Sequence, residues 1–429
     1  MKSKFLSVSC NDPVVGGWNM QKRLFVGIAL VTVMFASAVF AAEKEDDGPV
    51  KEQRKSRETP AKQAGGEEVV LGAWYFGGWS FTADATGHTW HIGPGLTEWK
   101  PSRKPVWGWR SDSLEIMKTQ IDYAADYGLS FWGFVWFEES LLAQRGGDMP
   151  LLNKELEIFL AAPNRHKLKF FLLCTDPVSP SNWDKICDAS IKFLKEDNYL
   201  RIDNKPVIVF FEMDAFLKNY GNVYADVNAA LQKYRRKARE AGIGEILVGA
   251  RTWPVPEVRD YQKRFVESGF DFLTSYQYEG YGGVREKSKT SQENDYSVMM
   301  KYDIQALDDV TREKTLPFIP TVGVGFDVRP WEKCHGVDKG LGHPLEYYTG
   351  NTSEKIAEHV DQGIQWIKAN PDKILARMLI IYAWNEYGEG GWLVPTESEG
   401  NARLEAIKKV AERAAAMPVR ESGKNNHGR

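Results

Sequence analysis

The chain has 429 residues, 43% of them hydrophobic and 26% charged, a composition that buries a large core and excludes wholesale disorder. Its 55 basic and 58 acidic side chains leave a formal charge of −3, and no long basic stripe lies outside the N-terminal tail, which argues against a nucleic-acid partner. The length admits one large barrel or two ordinary domains.

The first 67 residues read as address and tether. Lys22 and Arg23 precede an apolar run from Leu24 to Ala42, with small residues at Ala36, Ser37, Ala38, Ala41 and Ala42. That is the pattern of a secretory signal cut after Ala41 or Ala42, and it implies a secreted or periplasmic protein. The signal starts at Met20, so residues 1–19 are an upstream extension. If the run stays uncleaved, its roughly 19 apolar residues just span a bilayer, the one case in which a membrane is a partner. Residues 43–67 are charged and nearly free of apolar side chains, as a flexible linker is, and 418–429 read as a disordered tail. Of the four cysteines Cys10 precedes the mature chain, and Cys174, Cys187 and Cys334 are too sparse for a disulfide framework.

From 68 to 417, short β-rich runs alternate with amphipathic ones eight times. The predicted strands are Val69–Tyr75, Phe131–Trp136, Lys169–Cys174, Pro206–Phe211, Glu245–Ala250, Asp271–Tyr276, Pro317–Val322 and Met378–Ala383. The predicted helices cover 113–127, 150–161, 182–196, 222–241, 256–268, 294–313, 353–369 and 401–415. Such alternation implies parallel strands with crossover helices. Eight repeats favour a closed α/β fold, a (β/α)8 TIM barrel forming a single catalytic domain. The first strand leads into Phe76-Gly77-Gly78-Trp79 with no GxGxxG turn, so a dinucleotide fold loses ground.

Barrel chemistry sits on the loops after the strands. In chain order those loops carry Trp74, Tyr75, Trp79, His88, Trp90, His91 and Trp99; Trp136, Phe137, Glu138 and Glu139; Asp176; Glu212 and Asp214; Arg251 and Trp253; Tyr276, Gln277, Tyr278, Glu279 and Tyr281; Asp327, Arg329 and Trp331; and Trp384, Asn385, Glu386, Tyr387 and Glu389. Carboxylates and aromatics on one rim suit sugars, whose apolar faces stack on rings while their hydroxyls seek polar groups. The expected partner is an oligosaccharide or polysaccharide, and no cofactor is expected. Trp132, in mid-strand, reads as core.

Glycosidic cleavage needs a carboxylic acid and a second carboxylate, about 5 Å apart in retaining enzymes. Glu386 and Glu389, three apart at the exit of the last strand with Gly388, Gly390 and Gly391 around them, meet that need across a turn. Close carboxylates also repel, which raises one pKa and keeps that group protonated as the acid. Glu212 and Glu279 are the rival pair, since many barrel glycosidases draw their carboxylates from different strand ends. His88 and His91 lack the HExxH pattern, so a metal is not expected, and there is no GxSxG elbow, P-loop or CxxC.

The stretch Ala383-Trp384-Asn385-Glu386-Tyr387-Gly388-Glu389-Gly390-Gly391-Trp392-Leu393 resembles the WNEWxEGxxLEP signature of the WbsX-like proteins and the NEWHEG of glycoside hydrolase family 99. Val322-Gly323-Val324-Gly325-Phe326-Asp327-Val328-Arg329-Pro330-Trp331 is similar to the PGYxD…RPW segment of that family, and Thr97-Glu98-Trp99 to the FTEW of the WbsX group. The resemblance implies a barrel that cleaves α-linked, mannose-type or related glycans with retention. Glu389 is then the general acid/base, and Glu386 helps the 2-hydroxyl of the sugar attack C1 through a 1,2-anhydro sugar. By position Tyr75 and Trp331 line the pocket. Tyr387 and Gly388 replace the Trp and His of the family, and Val394-Pro395 stands where Glu-Pro is usual. The rival functions are a glycan-binding barrel without turnover and a WbsX-like glycosyltransferase in surface polysaccharide assembly.

Overall fold

The structure is a computed structural model, and it describes residues 68–79, 92, 94–98, 100–145, 149–254, 261–278, 292–330 and 346–416. The expectations for 1–67 and for 418–429 lie outside those residues, as do the thiols Cys10 and Cys334. Among the described residues no helix is long and apolar enough to cross a membrane.

Eight parallel strands form the sheet: β1 (Val70–Tyr75), β2 (Leu129–Trp136), β3 (Lys169–Cys174), β4 (Lys205–Phe210), β5 (Leu247–Arg251), β6 (Phe272–Thr274), β7 in two pieces (Phe318–Ile319 and Thr321–Gly323) and β8 (Met378–Tyr382). Pro320 divides β7, because proline has no N–H to give the ladder, though its carbonyl still accepts from Ile380 at 2.9 Å. The first piece pairs with β6, the second with β8, and β8 pairs with β1, so the sheet closes on itself. The helices that follow the strands as crossovers are α1 (Leu114–Asp126), α2 (Lys154–Ala161), α3 (Trp183–Leu194), α4 (Tyr224–Glu240), α5 (Lys263–Glu267), α6 (Tyr296–Val310), α7 (Ser353–Ala369) and α8 (Ala402–Ala416), with short helices besides at Pro94–Thr97, Glu139–Arg145 and Met213–Asn219. The side chains of Ser113, Asp295 and Thr352 cap α1, α6 and α7 by accepting from first-turn N–H groups, which is why those helices start where they do.

The predicted (β/α)8 barrel is therefore present, with most element ends shifted by a residue or two; α2 starts four residues after the predicted 150, and α6 ends three before the predicted 313. The predicted helix 256–268 is described only as α5, since 255–260 lie outside the described residues. Three small pairings were not expected: Arg201–Ile202 against the start of β4, Gln292–Asp295 beside Glu346–Thr349, and a hairpin of Asn385–Glu386 with Gly391–Trp392.

Register fixes which rings face inward, because neighbouring residues on parallel strands share a face. Trp74 lies opposite Gly133, and its ring meets Phe171 at 5.3 Å and Tyr276 at 5.5 Å inside the barrel. Tyr75, one residue on, points the other way, to Trp132 at 4.9 Å and Phe134 at 4.6 Å, and donates to Gln120 of α1. Trp132 is core, as its place in the strand suggested.

Candidate active site

The chain leaves β8 through Tyr382 and enters the small hairpin, which carries Glu386 at the end of its first strand and Glu389 in its turn. Gly390 has φ 82°, a left-handed value, and a Cβ there would sit 2.6 Å from the Asp327 nitrogen. A Cβ on Gly391 would meet the Tyr382 ring at 2.7 Å. Glycine is thus what lets the turn fold back onto the barrel mouth.

Glu386 is 4% exposed, and Glu389 keeps part of its surface open. The Tyr276 hydroxyl, from just past β6, donates to Glu386 Oε1 at 2.6 Å. The Tyr382 hydroxyl donates to Glu389 Oε2, and the two tyrosine rings cross edge to face at 5.0 Å. Burial pushes both carboxyls above the ordinary range; the nearby charge of Glu389 raises Glu386 further, and each tyrosine bond pulls its partner back. Among the described residues no cation contributes to either shift. Two carboxyls so coupled hold one proton between them well above the pH at which a free glutamate ionises. Burial, then the glutamate charges, also raises both phenols, so they remain hydrogen-bond donors.

A charged cluster grips the turn from behind. The backbone N–H of Asp327 donates to the Glu389 carbonyl at 2.6 Å, and Arg103 Nη1 donates to the Tyr387 carbonyl at 2.7 Å. The Asp327 carboxylate meets Arg329 at 2.7 Å, Arg103 at 2.8 Å and Lys100 at 3.3 Å. Burial works to raise that carboxyl, but the Arg329 hydrogen bond and the three positive charges hold it below its usual range.

The barrel mouth thus collects Glu386, Glu389 and Tyr276 as expected, with Glu212 partly exposed just beyond β4. Other expected sugar contacts are corrected by the structure. Tyr75, Trp136 and Trp384 face the helices: Trp136 packs on Phe193 of α3 at 5.9 Å, and the Trp384 indole donates to Gln120 at 2.8 Å. Trp79 and Tyr387 are buried against each other at 4.5 Å, and Tyr278 is buried too. Asn385 is buried and grips both the N–H and the carbonyl of Phe76 at 2.8 Å, tying the hairpin to the end of β1. Asp327 and Arg329 belong to the cluster behind the turn. Glu138 caps the helix Glu139–Arg145 through Ser140 and Leu141. Trp99, Glu279, Trp331, His88 and His91 lie outside the described residues. Sequence reasoning missed Tyr382, Arg103 and Lys100. Tyr382 carried a signal, a polar ring at the end of an apolar strand; the two cations, in the long segment after β1, carried none.

A family model described as "Glycosyltransferase WbsX" matches residues 109–407, well over half of the chain. The chain belongs to the WbsX family. No curated protein matches its sequence. Among solved structures, a protein described as glycoside hydrolase-like superposes on this WbsX-family chain with a TM-score of 0.54 at 15% identity, covering 83% of this chain and 97% of that one. The family 99 endo-α-mannosidase of Bacteroides thetaiotaomicron, in complex with bis-tris-propane, gives 0.52 at 13% identity, with 80% and 96% covered. A second structure of that enzyme gives 0.51 at 14%, with 80% and 97% covered. These likenesses establish a shared fold for the WbsX-family barrel.

Proposed function

We propose that the chain is a retaining glycoside hydrolase of the periplasm or cell exterior, acting on an α-linked, mannose-type or related glycan. The observation that carries this reading is the buried, mutually coupled pair Glu386–Glu389 at the exit of β8, each carboxyl held by a tyrosine hydroxyl. The likeness of fold to an endo-α-mannosidase supports it.

Glu389, the more open carboxyl, gives its proton to the leaving glycosidic oxygen as the C1–O bond breaks. Glu386, held by Tyr276, takes the proton of the sugar 2-hydroxyl, whose oxygen closes on C1 to give a 1,2-anhydro sugar. Water then attacks C1, Glu389 accepts its proton, and Glu386 returns the other to the 2-oxygen. The configuration at C1 is retained after two inversions, and both carboxyls end as they began.

The test is release of new reducing ends from α-mannans and from algal and bacterial polysaccharides, by wild type and by Glu386→Gln and Glu389→Gln. Release by wild type, with a loss of about 10²–10⁴ in either variant, is expected. Equal release by the variants moves the chemistry to Glu212 or Glu279. The family description favours a second reading, transfer of the sugar to an acceptor hydroxyl. Glycan extension from an activated donor, with no reducing ends released, selects it, and retention of glycan with neither activity selects the binding barrel.

A further inference from the structure

The buried arginines of this barrel are paired with carboxylates: Arg103 with Asp327 at 2.8 Å, Arg235 with Asp271 at 2.8 Å and Arg403 with Glu399 at 2.6 Å. The partly buried Arg264 is also paired, with Asp214 at 2.7 Å. Arg251, part-buried like Arg264, has no carboxylate partner among the described residues. It ends β5 opposite Thr274 of β6, on the inward row beside Phe211. Its guanidinium lies 4.7 Å from the Phe211 ring centre and 5.5 Å from that of Trp253. Nε and Nη2 have no surface and no hydrogen-bond partner, and Arg251 forms no ion pair with any described residue. Water is kept from two of its three nitrogens, and no carboxylate replaces it. A cation in that state costs free energy until an anion meets its open side.

Its place is telling. Phe211 contacts both Arg251 and, at 5.4 Å, the ring of Tyr276, and Tyr276 holds Glu386. One aromatic ring therefore separates the unpaired cation from the residue that positions a catalytic carboxyl. Arg251 contributes to neither glutamate's shift, so it is no counter-ion of the pair.

We propose that Arg251 receives an anionic substituent of the glycan, a carboxylate or a sulfate ester, in the subsite next to Glu386 and Glu389. The inference rests on the glycan reading of the site and narrows it to acidic glycans. Phe211 and Trp253 keep the guanidinium short of water, where its attraction for an anion is strongest. A neutral hydroxyl satisfies a donor there but leaves the charge uncompensated, so the site discriminates by charge.

Binding is read apart from turnover by affinity electrophoresis of the full chain carrying Glu389→Gln. The probes are polygalacturonate and its carboxyl-reduced form, and a sulfated fucan and its desulfated form. Retardation at least about tenfold stronger by one acidic polymer than by its neutral counterpart is expected, and which polymer does so separates carboxylate from sulfate. Arg251→Gln should erase that difference while its thermal midpoint stays near that of the parent, and Arg251→Lys should restore part of it. Equal binding of acidic and neutral forms overturns the proposal, as does a preference that survives Arg251→Gln, or silence from both acidic polymers. Reducing-end release by the wild type on the same polymers tests the hydrolytic reading separately, since an acidic preference without release leaves Arg251 standing and removes the hydrolase.

Discussion

Glu386 and Glu389 are held where a carboxylate is disfavoured, and that has a consequence for stability. In the unfolded chain both ionise in the ordinary range, while in the fold burial raises both and the Glu389 charge raises Glu386 further. Stability present while both are protonated is therefore lost as the pH climbs from the ordinary glutamate range through the raised values. Glu386→Gln should melt higher than wild type at pH 7 to 8, by about 2–4 °C for each kcal/mol relieved, and no higher near pH 4, while losing turnover. A variant that melts lower at both pH values would show that the carboxylate is structural. Tyr276→Phe tests the same site from the donor side. Removing the hydroxyl raises Glu386 further, so the acid limb of kcat/KM, where this base becomes protonated, should move up in pH and kcat should fall about tenfold, with KM little changed. An unchanged pH profile rejects that role. At this scale the glutamates were legible because carboxylates at a strand exit, with glycines around them, have few structural uses. The aromatics were not. A parallel barrel strand is apolar on both faces, so nothing in Trp74-Tyr75 says which ring looks inward, and Tyr75 went to the helix layer.

Between elements, the decisive contacts are charged groups from distant parts of the chain. Arg103, from the segment after β1, and Asp327, from the end of β7, meet behind the β8 hairpin, and both also hold its backbone. Asp327→Asn would leave the buried Arg103 without its carboxylate, a loss of about 3–5 kcal/mol. The expected outcome is a lower thermal midpoint together with a lower kcat, because the glutamate turn loses its backing; a lower midpoint with kcat unchanged would separate the cluster from the chemistry. Behind β7, α6 presents Asp303, which accepts from the Gly323 N–H at 2.8 Å, next to His359 of α7. Burial raises Asp303 to about 8 and lowers His359 to about 4, so between those values both are neutral and their 3.5 Å contact is no ion pair. For Asp303, stability present below its ordinary 3.8 is lost as the pH rises toward 8. His359 has the opposite slope, its stability present above 6.5 and lost as the pH falls to about 4. Asp303→Asn keeps an acceptor for Gly323 and removes only the first effect. The melting difference, variant minus wild type, should therefore grow from pH 4 to pH 8, and a flat difference would disprove the raised value. Helix 353–369 was readable from its amphipathic period, but the groups it meets on α6 and β7 were set by packing that the sequence does not display.

For the whole molecule, the question is how eight strands enclose a filled interior. Large rings on one strand lie over glycines on the next: a Cβ on Gly72 of β1 would come 2.2 Å from the Phe131 ring of β2. One on Gly133 of β2 would come 2.5 Å from Trp74 of β1, and one on Gly249 of β5 would come 2.3 Å from Phe272 of β6. Small beside large, strand after strand, lets few bulky side chains fill the space that the closed sheet leaves. The eightfold alternation of strand and helix predicted closure, yet these partnerships needed the register, since a one-residue slip would set each ring against a different neighbour. They also make closure testable far from the chemistry. Gly72→Ala forces the Phe131 ring aside and should cost about 1–3 kcal/mol by overpacking. Phe131→Leu alone leaves a void and also destabilises. If the two positions share one space, the double variant should lose less than the two single losses added together, by more than about 0.5 kcal/mol in a double-mutant cycle of denaturant melts. Strict additivity would mean that Gly72 and Phe131 do not share that space, and that the barrel is filled in another way.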